Sequence, residues 1–272
     1  MRETYRKTLQ QRIAKRQGLI LDTEPKQSMS EAALYFVRKT VIRPIHMLFT
    51  EPIVGLVCLL ASFQFTLLYI FVIASPWTFQ TTYNFSLGAQ GLTFIGFIVG
   101  AIISYGAIIM GDRFLYQRKL HQFEHEHQAP GTHTEFPPEH RLYNAMLGSL
   151  ILPSGLFMFA WTVHYHLHWI VPIVAQAITI FGSIQIYVPV SMYMVDTYGP
   201  LYGASAAGAS SLSRYTLSAV SLLFTLQMFK GLGTGWATSL LGFCALAMAP
   251  IPWVFYRWGH LLRGRSKYER EL

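Results

Sequence analysis

Residues 52–75 read PIVGLVCLLASFQFTLLYIFVIAS, and no charged side chain interrupts them. Roughly 20 mainly apolar residues are enough to cross about 30 Å of hydrocarbon. Lipid offers the backbone no hydrogen-bond partners, so a stretch of this kind must be a helix or part of a closed barrel. Five more blocks of the same character follow: Gly91 to Met110, Leu142 to Val163, Trp169 to Met194, Leu201 to Met228 and Trp236 to Tyr256. None alternates apolar and polar residues in the manner of a barrel strand. The sequence therefore predicts an all-α integral membrane protein with six transmembrane helices.

The composition agrees. Of 272 residues, 52% are hydrophobic and 12% charged, against about 25% charged in a soluble domain. Cys58 and Cys244 both lie inside apolar blocks and read as small hydrophobes, so no disulfide framework is expected. The net charge of +8 would suggest nucleic acid on a soluble protein. Here the basic residues flank the blocks, and topology accounts for them. Arg38, Lys39 and Arg43 precede the first block. Arg113, Arg118, Lys119 and Arg141 lie between the second and third. Arg257, Arg263, Arg265, Lys267 and Arg270 follow the sixth, and the opposite side holds only Lys230. By the positive-inside rule both ends are cytoplasmic. The expected organisation is a basic segment 1–51, a membrane domain 52–256 with a cytoplasmic loop 112–141, and a basic tail 257–272. No secretory signal is visible in the polar, basic first fifty residues. The lack of a retention signal favours the cell membrane.

Charge inside hydrocarbon is the informative feature. Arg214 falls near the middle of the fifth block, where even low estimates put an arginine at roughly 2.5–3.5 kcal/mol of insertion cost. Ser210, Arg214, Ser218 and Ser221 share one helical face. Gln176, Ser183, Tyr187 and Ser191 form a second stripe on the fourth block, and Asp196 ends that helix. Two readings stay open: the stripes face each other across a solute cavity, or they hydrogen-bond in the bundle core. Gln64 and Tyr69 are weaker candidates on the first block. Gly96 with Gly100, and Gly203, Ala204, Ala207 and Gly208, have the small-residue spacing that lets helices approach closely. Thr50-Glu51-Pro52 marks a helix start, and Gly199-Pro200 a break.

Histidines fall in two groups, His121, His125, His127, His133 and His140, and then His164, His166 and His168. The predicted topology puts them on opposite sides of the membrane, so they build no shared metal site. No phosphate-binding glycine loop and no serine elbow appears. The expectation is no enzyme, no metal and no cofactor.

Specific motifs then carry a resemblance. Arg43-Pro44 with Leu48-Phe49-Thr50-Glu51-Pro52-Ile53-Val54 resembles the entry to the seventh span of the fungal-type drug:proton antiporters of the major facilitator superfamily. Pro137-Pro138-Glu139 followed by Arg141-Leu142 is similar to their loop before span nine. Phe159-Ala160-Trp161-Thr162 and His168-Trp169-Ile170-Val171-Pro172 look like span nine and its turn into span ten. Val195-Asp196-Thr197-Tyr198-Gly199 and Arg214 match the end of span ten and the middle of span eleven. Leu241-Gly242-Phe243, Pro250-Ile251-Pro252 and Ser266-Lys267-Tyr268 match span twelve and its tail, and Glu3-Thr4-Tyr5 the loop after span six.

The resemblance implies the C-terminal six-helix half of a twelve-helix transporter that expels small amphipathic compounds in exchange for protons. Arg214, Ser210, Gln176, Tyr187, Gln64 and Tyr69 would line its cavity. Glu51, Pro52, Pro137, Pro138, Glu139, Arg141 and Asp196 would be structural motif residues. The chain opens just after the family's sixth span, and Ser210 stands where the family usually has asparagine. A second wall would then come from a homodimer or from a separate N-terminal half. A truncated, non-transporting membrane protein or scaffold is the rival reading.

Overall fold

The computed structural model describes residues 42–117 and 138–264. From Arg43 onward they belong to one compact unit. Every described element is helical: α1 (Arg43–Thr50), α2 (Pro52–Tyr83), α3 (Leu87–Leu92), α4 (Ile95–Gly111), a π-helical turn Asp112–Tyr116, a 3-10 helix Pro138–Leu142 and α5 (Tyr143–His164). A helical stretch Ile170–Met248 follows, and Pro250–Arg263 closes the series. The stretch Ile170–Met248 is not one rod. Gly199 (φ 57°, ψ −165°) and Gly233 (φ 74°, ψ 160°) leave helical geometry inside it, in a region that is essentially glycine's alone. It comprises α6 (170–198), α7 (200–232) and α8 (234–248), and α9 is Pro250–Arg263.

Contact registers give the topology. Along α4 and α6, Gly96 faces Ile173, Gly100 faces Ala177, and the Ser104 hydroxyl donates to the Phe181 carbonyl at 3.3 Å. Both numbers rise together, so these helices are parallel. Ser62 meets Ser213 at 2.8 Å and Trp77 meets Phe229 at 6.3 Å between ring centroids, so α2 and α7 are parallel too. Between α2 and α6 the order reverses: Ser75 binds Gln176, Phe65 touches Tyr187, and Glu51 binds Tyr198. It also reverses between α5 and α6, where Gly155 meets Thr179 and Gly148 meets Gln185. Along α5 and the last helices, Trp161 pairs with Trp236, Phe157 with Phe243 and Tyr143 with Tyr256. Thus α2, α5 and α7 run one way, and α3–α4, α6 and α8–α9 run the other. Six passes bring the chain back to the side it left.

All six predicted spans fall on helices, with shifted ends. The first continues eight residues past Ser75, through Pro76, to Tyr83. At 1.5 Å per residue α2 is about 48 Å long, longer than the roughly 30 Å of hydrocarbon. It stops at Asn84, whose left-handed backbone (φ 55°) lets Phe85 N–H reach the Phe79 carbonyl at 3.2 Å. Thr50 does not cap α2. Its hydroxyl turns back to the His46 carbonyl at 2.7 Å. α9 runs on to Arg263, past the expected Tyr256.

Small residues set the interhelical distances. A methyl group on Gly96 would lie 2.7 Å from the Ile173 carbonyl oxygen, and one on Gly100 would collide with the Ala177 backbone. Gly148, Gly155 and Gly182 do the same between α5 and α6. Gly100→Val should therefore destabilise the bundle, by about 1–3 kcal/mol on the overpacking scale, or prevent its assembly. The control is Gly106→Val, where nothing lies within 4 Å of an added methyl. Thermal unfolding in detergent should show a lowered midpoint for the first variant and an unchanged one for the second.

Candidate functional site

Arg214 sits halfway along α7, and its guanidinium is held by three bonds. Nη1 donates to the Tyr187 hydroxyl, Nη2 to Ser211 Oγ at 3.0 Å and Nε to the Ser210 carbonyl at 3.3 Å. Rings complete the surround. The Phe65 ring lies 4.4 Å from the guanidinium carbon, Tyr187 at 5.3 Å and Tyr215 at 5.7 Å. Cation–π contact with three rings offsets part of the cost of leaving water. Among the described residues no carboxylate is paired with Arg214; the ion pairs are Arg141 with Asp196 and Arg263 with Glu139.

Phe65 and Tyr187 also line a cavity of about 300 Å³ between α2, α4 and α6. Its other walls are Gln64, Leu68, Phe97, Ile98, Ala101, Ile180, Ser183 and Ile184. This is an open, mostly apolar recess with three polar groups, Gln64, Ser183 and Tyr187; Arg214 is not one of its walls but contacts two of them, bonding the Tyr187 hydroxyl and facing the Phe65 ring. Gln64 is 3% exposed, and its Oε1 has no partner among the described residues. It also borders a second cavity of about 10 Å³, about the size of one water.

The predicted site residues separate into groups. Arg214, Tyr187, Gln64 and Ser183 come together. Ser210 is buried and is not a cavity wall; its carbonyl accepts from Arg214 Nε. Gln176 is fully buried, and its amide donates to Ser75 Oγ at 2.6 Å. Tyr69 is half-buried and is not a cavity wall. Ser218 and Ser221 are buried in the bundle, and the Ser221 hydroxyl donates to the Ser218 carbonyl. Phe65, Ser211 and Tyr215 complete the surround of Arg214 without having been expected there. Tyr215 adjoins Arg214 in sequence; Phe65 sits in an apolar block that offers no signal.

The motif residues gather at one end of the bundle, where α2, α5 and α7 begin. The Tyr198 hydroxyl donates to Glu51 Oε2 at 3.1 Å. Arg141 Nε lies 2.7 Å from Asp196 Oδ2. Arg263 Nη2 lies 2.8 Å from Glu139 Oε1, and Arg43 covers the Tyr202 ring at 3.9 Å. Pro52 begins α2 and Pro138 begins the 3-10 helix; Pro137 lies outside the described residues, as do His121, His125, His127 and His133. At the opposite end His164 packs with Trp161 and Tyr165, His168 with Trp169 and Trp236 with Trp161, as amphipathic rings do at a membrane interface; His166 lies between them with φ 50°. Among the described residues no three metal-binding side chains converge.

Comparison with known proteins completes the assignment. The Major Facilitator Superfamily profile matches residues 6–222. The chain is 36% identical over 270 residues to the efflux pump atB of Aspergillus terreus, covering 98% of this chain and 56% of that one. It is 34% identical over 273 residues to the MFS-type transporter MFS19 of Alternaria alternata, covering 97% of this chain and 53% of that one. It is 35% identical over 240 residues to the efflux pump FUB11 of Gibberella fujikuroi, covering 88% of this chain and 40% of that one. No solved structure gives a significant match. The chain belongs to the Major Facilitator Superfamily, a family of membrane transporters rather than enzymes. It spans about half the length of the curated relatives it matches.

The two ion pairs differ in burial, which orders their worth. Glu139 and Arg263 side chains are 9% and 20% exposed; Asp196 and Arg141 are 37% and 29% exposed. Removing one member of the more buried pair strands a charge, at about 3 kcal/mol. An exposed pair contributes no more than about 1 kcal/mol. Glu139→Ala should lower the thermal unfolding midpoint clearly more than Asp196→Ala. Equal shifts would contradict this ordering.

Proposed function

We propose that this chain forms one half of an alternating-access transporter that exports small organic compounds across the cell membrane in exchange for protons. The observation that carries the reading is Arg214. It is a cation in mid-span, in contact with Tyr187 and Phe65, which are wall residues of a cavity of about 300 Å³ with mostly apolar walls. Such residues mark substrate and ion pathways, and such cavities suit small molecules. Arg214 is the polar anchor, Gln64, Ser183 and Tyr187 orient the solute, and the apolar walls hold its body. Gln176, Ser210 and Tyr69 act at one remove, by packing the helices that carry the cavity.

Six spans give one wall. In this superfamily two six-helix halves are related by an axis along the membrane normal, and access alternates as they rock about a central site. The second wall comes from a further six-span segment, whether on the same polypeptide, on a second copy of this chain or on a separate N-terminal half. The basic ends lie in the cytoplasm, by the distribution of lysine and arginine. Efflux is measured from cells that express the protein at its native length. Arg214→Ala should abolish efflux while leaving insertion intact, and a protonophore should abolish efflux by the unaltered protein. Undiminished efflux in the variant would overturn the site; indifference to the protonophore would overturn proton coupling. Native membranes immunoblotted with and without cross-linker should show a species clearly larger than 30.9 kDa in at least one lane; a 30.9 kDa species alone in both would overturn the two-walled assembly.

A further inference from the structure

The charge census of the spans is one-sided. From Pro52 to Gly111 and from Leu142 to Val195 the sequence holds no Asp, Glu, Lys or Arg. From Thr197 to Tyr256 it holds only Arg214 and, near the far end of α7, Lys230. Nothing within these six spans neutralises Arg214 as a carboxylate would. Its nearest groups are neutral: two serines, two tyrosines and a phenylalanine. A guanidinium has five N–H donors, and the structure uses three of them. The Tyr187 oxygen accepts from Arg214, which frees its own proton to be donated. Donors are therefore in surplus around Tyr187 and Arg214, beside the cavity wall, and negative charge is missing.

The walls define the rest of the ligand. Phe65, Phe97 and Tyr187 are aromatic, and Leu68, Ile98, Ala101, Ile180 and Ile184 are aliphatic. Phe65 and Tyr187 meet edge to face, with centroids 5.4 Å apart, and both give the cavity aromatic wall, a surface suited to an aromatic ligand. An ammonium ligand would meet an uncompensated cation in low dielectric, where like charges repel strongly. A carboxylate would instead make charge-assisted bonds to Arg214 and Tyr187.

We infer that the site takes aromatic organic anions, a flat apolar body with a carboxylate directed at Arg214. This rests on the transport reading for the site's role, but its test is a binding measurement. The full chain is reconstituted in lipid nanodiscs. Calorimetry then compares naphthoate, naphthamide and naphthylmethylammonium, which share one ring system and differ in charge. Naphthoate should bind at least about tenfold tighter than naphthamide and weaken as salt rises; naphthylmethylammonium should bind most weakly. Arg214→Gln should abolish the preference for naphthoate, and Arg214→Lys should restore part of it. Equal binding of the three compounds, preference for the cation, or no binding of any overturns the inference. These ligand comparisons use the unaltered chain, so the result stands even if a variant fails to fold. Anion preference without naphthoate movement by the protein at native length would sink the transport reading alone. Transport without anion preference would sink this inference alone.

Discussion

Hydrocarbon supplies no hydrogen-bond partners, and every part of this structure answers to that fact. The backbone satisfies itself, so the described residues are helical wherever they cross. Between such helices there is no hydrophobic drive in lipid, because lipid tails are as apolar as leucine. Close packing must replace it, and the chain places glycine where helices meet: Gly96 and Gly100 between α4 and α6, Gly148, Gly155 and Gly182 between α5 and α6. Side-chain polarity is placed under the same rule. Gln176 finds Ser75, Ser62 finds Ser213, and several serine and threonine hydroxyls turn back to carbonyls of their own helix.

Arg214 is the case the rule strains most. Its neighbours satisfy part of its hydrogen-bonding capacity and surround it with rings, but no carboxylate among the described residues pairs with it. The end of the bundle shows the contrast: there Glu139 and Asp196 each have an arginine partner. One fold thus neutralises charge where helix ends meet and leaves Arg214 without a carboxylate partner in mid-span, a contrast that fits the solute path proposed for it. That difference supports separating the motif residues, which tie helix ends together, from the site residues.

Much of the architecture is legible in the sequence because charge-free blocks are long and unambiguous. The break at Gly199-Pro200 is legible because the two residues are both helix breakers. The extension of α2 to Tyr83 is not, since Pro76 and the polar residues after it read as a loop; the helix runs through Pro76 and ends only at the left-handed Asn84. The site is half legible. Periodicity selects a face of a helix but not a height on it. Gln176 and Tyr187 share a stripe, yet eleven residues put them about 16 Å apart along the axis, and only Tyr187 reaches the cavity. Phe65 was hidden by its chemistry, since an aromatic residue in an apolar block carries no polar signal.

The joints at Gly199 and Gly233 are single residues out of helical geometry between long rods. A joint that short has almost no slack. Neighbouring rods can splay or twist about it, but they cannot slide lengthwise past each other. α6, α7 and α8 therefore form a folding rule, with pivots at opposite ends of the middle rod. A tilt of α7 that moves Arg214 must be taken up at one pivot or both, so displacement at mid-membrane is converted into angle at the two surfaces.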